Sequence, residues 1–103
     1  MSAAQRREIS RIVDRADDVA RDVIRLERRD RPGANASEED REGFRIRQAD
    51  AQTAREYQTY LQNLEASLVN VNSSAEADRM IQQANQTLGY LRELLNRSNA
   101  TLQ

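Results

Sequence analysis

The chain has 103 residues, which is enough for one hydrophobic core and too few for two. Its 16 basic residues are all arginine and its acidic residues number 17, so a net charge of -1 gives no overall field that would attract nucleic acid or an anionic membrane. The chain contains no Cys and no His, which excludes disulfides, thiolate chemistry and the usual metal-ligand sets. We therefore expect a single non-enzymatic domain over residues 1–103, without cofactor, metal or small-molecule substrate.

Three predicted helices begin with the same kind of signal. A serine followed three residues later by Glu, Gln or Asp occurs over 2–5, 37–40 and 73–76. The first and third of these match a capping box, in which two side chains satisfy free backbone N–H groups reciprocally, and the second is a near variant.

The first helix is predicted over residues 3–30 with one buried stripe. Apolar residues recur in steps of three and four, which places them on one helix face: Ile9, Ile12, Ala16, Val19, Val23 and Leu26, widened by Val13 and Ala20. Most other positions are charged. The aspartates at 14, 18 and 22 form a row that could in principle hold a cation, but the flanking arginines favour an exposed, charge-paired surface. Pro32 and Gly33 predict the end of the helix.

The second helix is predicted over residues 38–71 and carries two adjacent apolar rows. One contains Ile46, Ala49, Thr53, Tyr57, Leu64, Leu68 and Val71, and the other contains Phe44, Ala51, Ala54 and Leu61. A helix with two neighbouring stripes can contact two partners. The pattern therefore predicts that this helix is the middle element, packed against both others.

The third helix is predicted over residues 74–101, after a polar break at 70–74. Its main stripe contains Ala77, Ile81, Ala84, Leu88, Leu91, Leu95, Ser98 and Leu102, with Met80, Thr87 and Leu94 beside it. Gly89 interrupts the helix and costs about 1 kcal/mol relative to Ala, unless it allows close approach of a neighbour.

Short connections place successive helices side by side in opposite directions. We therefore expect an all-α fold, an elongated antiparallel up-down-up three-helix bundle with coiled-coil-like packing. In length and layout the chain resembles small three-helix modules such as tubulin-binding cofactor A and the spectrin repeat, but it lacks the tryptophan of spectrin repeats and the cysteine of cofactor A. The resemblance is architectural and implies no residue roles.

Charge divides the chain unevenly. Residues 1–60 carry 26 of the 33 charged side chains, whereas the polar surface of residues 61–103 is rich in Gln and Asn. Uncharged amides cost less to desolvate against a partner than charges do. The sequence therefore predicts a partner-binding surface on the C-terminal half of the second helix and on the third helix, at Tyr60, Val69, Gln83, Gln86 and Tyr90, with a neutral solvated surface as the alternative.

The leading functional hypothesis is a protein–protein interaction module that binds another protein, or a second copy, through a helix face. A small adaptor, an assembly factor, a secretion-chaperone-like protein or a protein that blocks a host complex would all fit. One alternative is a self-associating structural subunit. Another is arginine-mediated binding of nucleic acid or phosphate through Arg6, Arg7 and Arg11, which the interleaved acids and the lack of adjacent aromatics disfavour.

No apolar run approaches the ~20 residues of a membrane span, and the N-terminal region lacks a signal-peptide core. We therefore expect a cytoplasmic protein.

Overall fold

A computed structural model describes residues 1–100, which form a rod of 56 × 20 × 15 Å. Helix α1 covers Ala3–Arg29, α2 covers Glu38–Ala66, a 3-10 turn covers Ser67–Asn70, and α3 covers Ser74–Ala100. Residues 1–100 contain no strand. The predicted all-α three-helix fold is confirmed.

Serine hydroxyls cap all three helices. At α1 the box is complete, because Ser2 Oγ accepts from the Gln5 backbone N–H at 3.1 Å and Gln5 Oε1 accepts from the Ser2 N–H at 3.0 Å. The hydroxyls of Ser37 and Ser73 each accept from the backbone N–H three residues later, at 3.1 Å. Each cap satisfies a donor that the helix itself leaves free.

Side-chain contacts give the relative directions of the helices. Rising residue numbers in α1 pair with falling numbers in α2, through Ser10 with Glu65, Asp17 with Gln58, and Asp30 with Arg47. The same reversal relates α2 to α3, through Asp50 with Arg97 and Tyr57 with Tyr90. The Gln5 amide of α1 donates to Ser74 Oγ of α3 at 2.9 Å, which joins the beginnings of these two helices. This order of contacts is the one that an up-down-up bundle produces.

The prediction that α2 is the middle element is wrong. Helix α1 packs extensively against both α2 and α3, whereas α2 and α3 contact each other much less. The apolar stripe of α1 contains Ala16 and Ala20, both with 0% exposure. Because the distance between packed helices depends on the side chains at their contact, these small residues allow close approach from two sides. Helix α1 is thus the helix that the other two share.

Only part of the predicted double stripe of α2 is buried. The row of Phe44, Ala51, Ala54 and Leu61 is buried as expected, and so are Leu64, Leu68 and Val71 from the other row. Ile46 and Ala49 are exposed instead, while two charged side chains, Arg47 and Asp50, are buried beside them. The neighbouring helices explain this difference, since Asp30 pairs with Arg47 at 3.5 Å and Arg97 pairs with Asp50 at 2.6 Å.

The second helix also ends earlier than predicted. The α-helix stops at Ala66, and the last turn tightens into the 3-10 turn Ser67–Asn70 instead of continuing to residue 71. The Ser67 hydroxyl donates to the Leu64 carbonyl at 2.7 Å, a local bond that competes with regular helix geometry. The tighter turn still buries Leu68 and Val71.

Helix α3 contributes the predicted stripe to the core. Ala77, Ala84, Leu88, Leu91 and Ser98 are buried, together with Met80, Thr87 and Leu94 from the parallel row, and Ile81 and Leu95 are partly buried. Leu102 and the predicted last position, residue 101, lie outside the described residues.

Replacing Gly89 by alanine is expected to stabilise the protein by about 1 kcal/mol, because glycine is a poor helix former. No atom outside its own turn lies within 4 Å of the position that a Cβ would occupy, so the fold does not require glycine here for close packing. Thermal unfolding followed by circular dichroism should show a rise of about 4–8 °C in the melting temperature. An unchanged or lower melting temperature would contradict this account of Gly89.

Candidate protein-interaction face

Large apolar side chains are exposed on two of the three helices and on the turn between them. Among the described residues they are Ile46 with 44% exposure, Tyr60 with 40%, Val69 with 76% and Tyr90 with 43%. None of them belongs to α1, whose outer surface is charged. The exposed apolar surface therefore lies on α2, the 3-10 turn and α3.

Two tyrosines join α2 to α3 at this surface. The rings of Tyr57 and Tyr90 are stacked, with centroids 6.1 Å apart and an angle of 18° between their planes, within the range of favourable aromatic pairs. The Gln86 amide donates to the Tyr90 hydroxyl at 3.0 Å from one turn away on the same helix. Tyr90 is thus fixed by a ring contact on one side and by an amide on the other.

Tyr60 and Gln86 lie on the same side of this stacked pair along the rod. Tyr60 follows Tyr57 by three residues on α2, and Gln86 precedes Tyr90 by four on the antiparallel α3. Gln83 is exposed one further turn along α3, where its backbone carbonyl accepts from the Thr87 hydroxyl at 2.9 Å. We call the surface formed by Tyr57, Tyr60, Gln83, Gln86 and Tyr90 the α2/α3 face.

The structure does not bring Val69 into the α2/α3 face. Val69 lies in the 3-10 turn, nine residues after Tyr60, which corresponds to about 13 Å along the axis at 1.5 Å per residue. Val69 is 76% exposed and therefore forms an apolar surface site of its own near the end of the rod.

A small cleft extends the α2/α3 face in the other direction. It has a volume of about 150 Å³ and is lined by Thr53, Tyr57, Tyr90, Glu93, Leu94 and Arg97. The sequence pattern places Thr53 and Tyr57 in a buried row, whereas in the structure they border this open cleft. Ile46 belongs to the same predicted row but is exposed. A signal for this was present in the sequence, because Phe44, Ala51, Ala54 and Leu61 form a regular apolar stripe that does not include Ile46.

The arginines considered for phosphate binding do not share one face. Arg6, Arg7 and Arg11 are all exposed, but consecutive helix positions point about 100° apart, so Arg6 diverges from Arg7. Arg11 lies on the face of Arg7 and pairs with Glu8 at 3.3 Å. The positive charge of this end is thus divided and partly neutralised.

The aspartate row of α1 is a solvent-accessible surface, and among the described residues one of its three carboxylates forms an ion pair. Asp14 and Asp18 are exposed, and Asp22 pairs with Arg25 at 3.2 Å. Within residues 1–100 no group of three or more His, Cys, Asp or Glu side chains is arranged to hold a metal ion. No helix in this part of the chain combines the length and the hydrophobicity needed to cross a membrane.

Comparison with known proteins adds no family to this description. The chain matches no protein-family model, and neither the curated proteins nor the solved structures contain a significant match to it.

Proposed function

We propose that the protein is a non-enzymatic interaction module of the cytoplasm that binds a partner protein through the α2/α3 face. The observation that carries the proposal is the exposure of Tyr60 and Tyr90 on a surface that also carries the uncharged amides of Gln83 and Gln86. Tyrosine is enriched at protein interfaces because its ring is apolar and its hydroxyl can still form a hydrogen bond. Adaptor, assembly-factor, chaperone-like and host-blocking roles all use such a surface.

The fold supplies the rigidity that this function needs. Tyr90 is held before any partner arrives, since its ring stacks on Tyr57 and its hydroxyl accepts from Gln86. A side chain that is already ordered loses little conformational entropy on binding. Gln83 and Gln86 flank it on one side without a charge that a partner would have to desolvate, while Glu93 and Arg97 line the cleft on its other side.

Site-specific photo-crosslinking tests the proposal. A benzophenone amino acid placed at Tyr60 is expected to give a discrete adduct in cells of the source organism, because the side chain is exposed on the face. The same group placed at Asp18, on the outer surface of α1, serves as the matched control and should give no such adduct. A second change, Gln86→Glu, should remove the Tyr60 adduct because a buried charge at the interface costs free energy.

The mass of the adduct separates two kinds of partner. An adduct between two copies would support the self-associating subunit, and sedimentation would then show a concentration-dependent mass. An adduct with another protein would support the adaptor-type role. The same products from Asp18 as from Tyr60, or insensitivity to Gln86→Glu, would contradict the α2/α3 face as the binding surface.

A further inference from the structure

Helix α3 carries a second stripe of side chains, which faces solvent beside α2. Its residues follow one another in steps of three and four, the spacing that keeps them on one helix face. They are Arg79, Gln83, Gln86, Tyr90, Glu93 and Arg97, and all are exposed. Glu76, three residues before Arg79 and also exposed, extends the row into the first turn. We call these seven residues the outer stripe of α3.

The charges of the outer stripe have opposite orders at its two ends. From Gln86 toward the beginning of α3, the stripe presents a positive charge at Arg79 and then a negative one at Glu76. From Gln86 toward the end of α3, it presents a negative charge at Glu93 and then a positive one at Arg97. Arg79 and Glu93 are equally far from Gln86 along the helix. The outer stripe is therefore complementary in charge to a copy of itself that runs in the opposite direction.

The fold leaves most of these charges unpaired. Glu76, Arg79 and Glu93 form no ion pair within residues 1–100. Arg97 pairs with Asp50 at 2.6 Å, but its side chain is 62% exposed and a guanidinium has five N–H donors, so it can bind a second carboxylate. The charges of the outer stripe are thus accessible to groups outside the chain.

The middle of the outer stripe supplies uncharged groups that suit a symmetric contact. After donating one N–H to Tyr90, the Gln86 amide retains a second N–H and its carbonyl oxygen. Two such amides can bond reciprocally across a two-fold axis. Tyr90 is 43% exposed, and Tyr60 of α2, near the same level as Gln86, is 40% exposed. Aromatic rings would lie at the centre of the contact and charges toward its ends, as in the core and rim of protein interfaces.

We infer that the partner of the α2/α3 face is a second copy of this chain, bound with its α3 antiparallel to α3 about a two-fold axis at Gln86. Arg79 of each copy pairs with Glu93 of the other. Glu76 of each copy pairs with Arg97 of the other. The inference rests on the function proposed above, because it names the partner for the same face.

Repulsion between like charges disfavours the other alignments of two outer stripes. A parallel alignment in the same register sets each charged residue against its own counterpart. An antiparallel alignment shifted by one stripe position sets Glu76 against Glu93. The opposite shift sets Arg79 against Arg97. The alignment centred on Gln86 is the one in which opposite charges meet at both ends.

Sedimentation equilibrium of the full chain measures the self-association. The unmodified chain is expected to approach the mass of a dimer as its concentration rises. Arg79→Glu should weaken the dimer at least about tenfold, because a two-fold interface contains the clash with Glu93 twice. Arg92→Glu is the matched control, with the same change of charge at an exposed position about 100° around the helix from Glu93. It should leave both the dimer and the helical circular dichroism signal unchanged.

Exchanging the charges gives a second, independent test. Glu93→Arg alone should weaken the dimer as much as Arg79→Glu does, because Arg79 of the other copy then meets a like charge. Mixing the two single variants should restore a dimer of two different chains, since each supplies the charge that the other lacks. A chain with both substitutions should again associate with itself.

A thiol at the axis tests the alignment. The chain contains no Cys, so Gln86→Cys places a single thiol opposite its own counterpart, and a short bismaleimide should link two copies. Asn85→Cys, which is exposed but points about 100° away, should give little linked product.

Three results would overturn the inference. They are a monomer at every concentration, a dimer that Arg79→Glu and Glu93→Arg leave intact, and equal linking from Gln86→Cys and Asn85→Cys. The proposed function fails on a different observation, the absence of a discrete adduct from Tyr60. A monomeric chain whose Tyr60 adduct contains another protein would therefore exclude the second copy and support the α2/α3 face.

Discussion

Replacing Leu91 by alanine is expected to lower the free energy of unfolding by about 2–5 kcal/mol. Leu91 lies in α3 with 0% exposure and belongs to the continuous core cluster formed by all three helices. Its removal loses the transfer free energy of the buried atoms and leaves a cavity that the packed helices fill only partly. Because a domain of this size is stable by only about 5–15 kcal/mol, the loss is a large fraction of the total.

Urea denaturation followed by the helical circular dichroism signal measures this effect. Val69→Ala is the matched control, because it removes apolar atoms from a side chain that is 76% exposed. We expect the control to change the free energy of unfolding by less than about 0.5 kcal/mol. A cost for Leu91→Ala no larger than that of Val69→Ala would contradict the packing described for α3.

Features that depend on neighbouring residues could be predicted from the sequence. The three serine caps and the apolar stripe of α1 follow from spacings of three and four, because these positions meet on one face of any helix. The same reasoning places Tyr60 and Tyr90 off the main stripes, and the structure shows both exposed. Whether they bind a partner stays a prediction.

Features that depend on distant partners could not be predicted. Helix α2 has enough apolar residues for two stripes, and its sequence alone does not reveal which of them meets another helix. The structure buries Arg47 and Asp50 where the expected row would have buried Ile46 and Ala49, because their partners come from the end of α1 and from α3. For the same reason the sequence does not predict the open cavity beside the connection between α1 and α2, since its wall is assembled from that connection and the first turns of α2.

Replacing Asp30 by alanine is expected to produce the second large loss of stability. Its carboxylate is the counter-charge of Arg47, whose side chain is 10% exposed. Breaking a fully buried ion pair costs about 3–5 kcal/mol, because it leaves an uncompensated charge away from water. Asp30 itself is 19% exposed, so some water reaches the pair, and we expect a smaller loss of about 2–3 kcal/mol. Urea denaturation of the single variant measures it.

The origin of this loss can be tested by a second substitution. If the cost comes from the unpaired charge of Arg47, then Arg47→Met in the Asp30→Ala background should recover most of the stability, because methionine keeps a flexible apolar stem and has no charge to desolvate. If the cost comes instead from losing the pair between Asp30 and Arg29, whose Nε lies 3.3 Å from the carboxylate, the second substitution should recover nothing. Arg55→Met is the control for a general gain in stability from removing an arginine on this side of α2. The Arg55 side chain pairs with Glu27 of α1 and is 43% exposed. Recovery with Arg47→Met alone would identify the buried guanidinium as the group that makes Asp30 necessary.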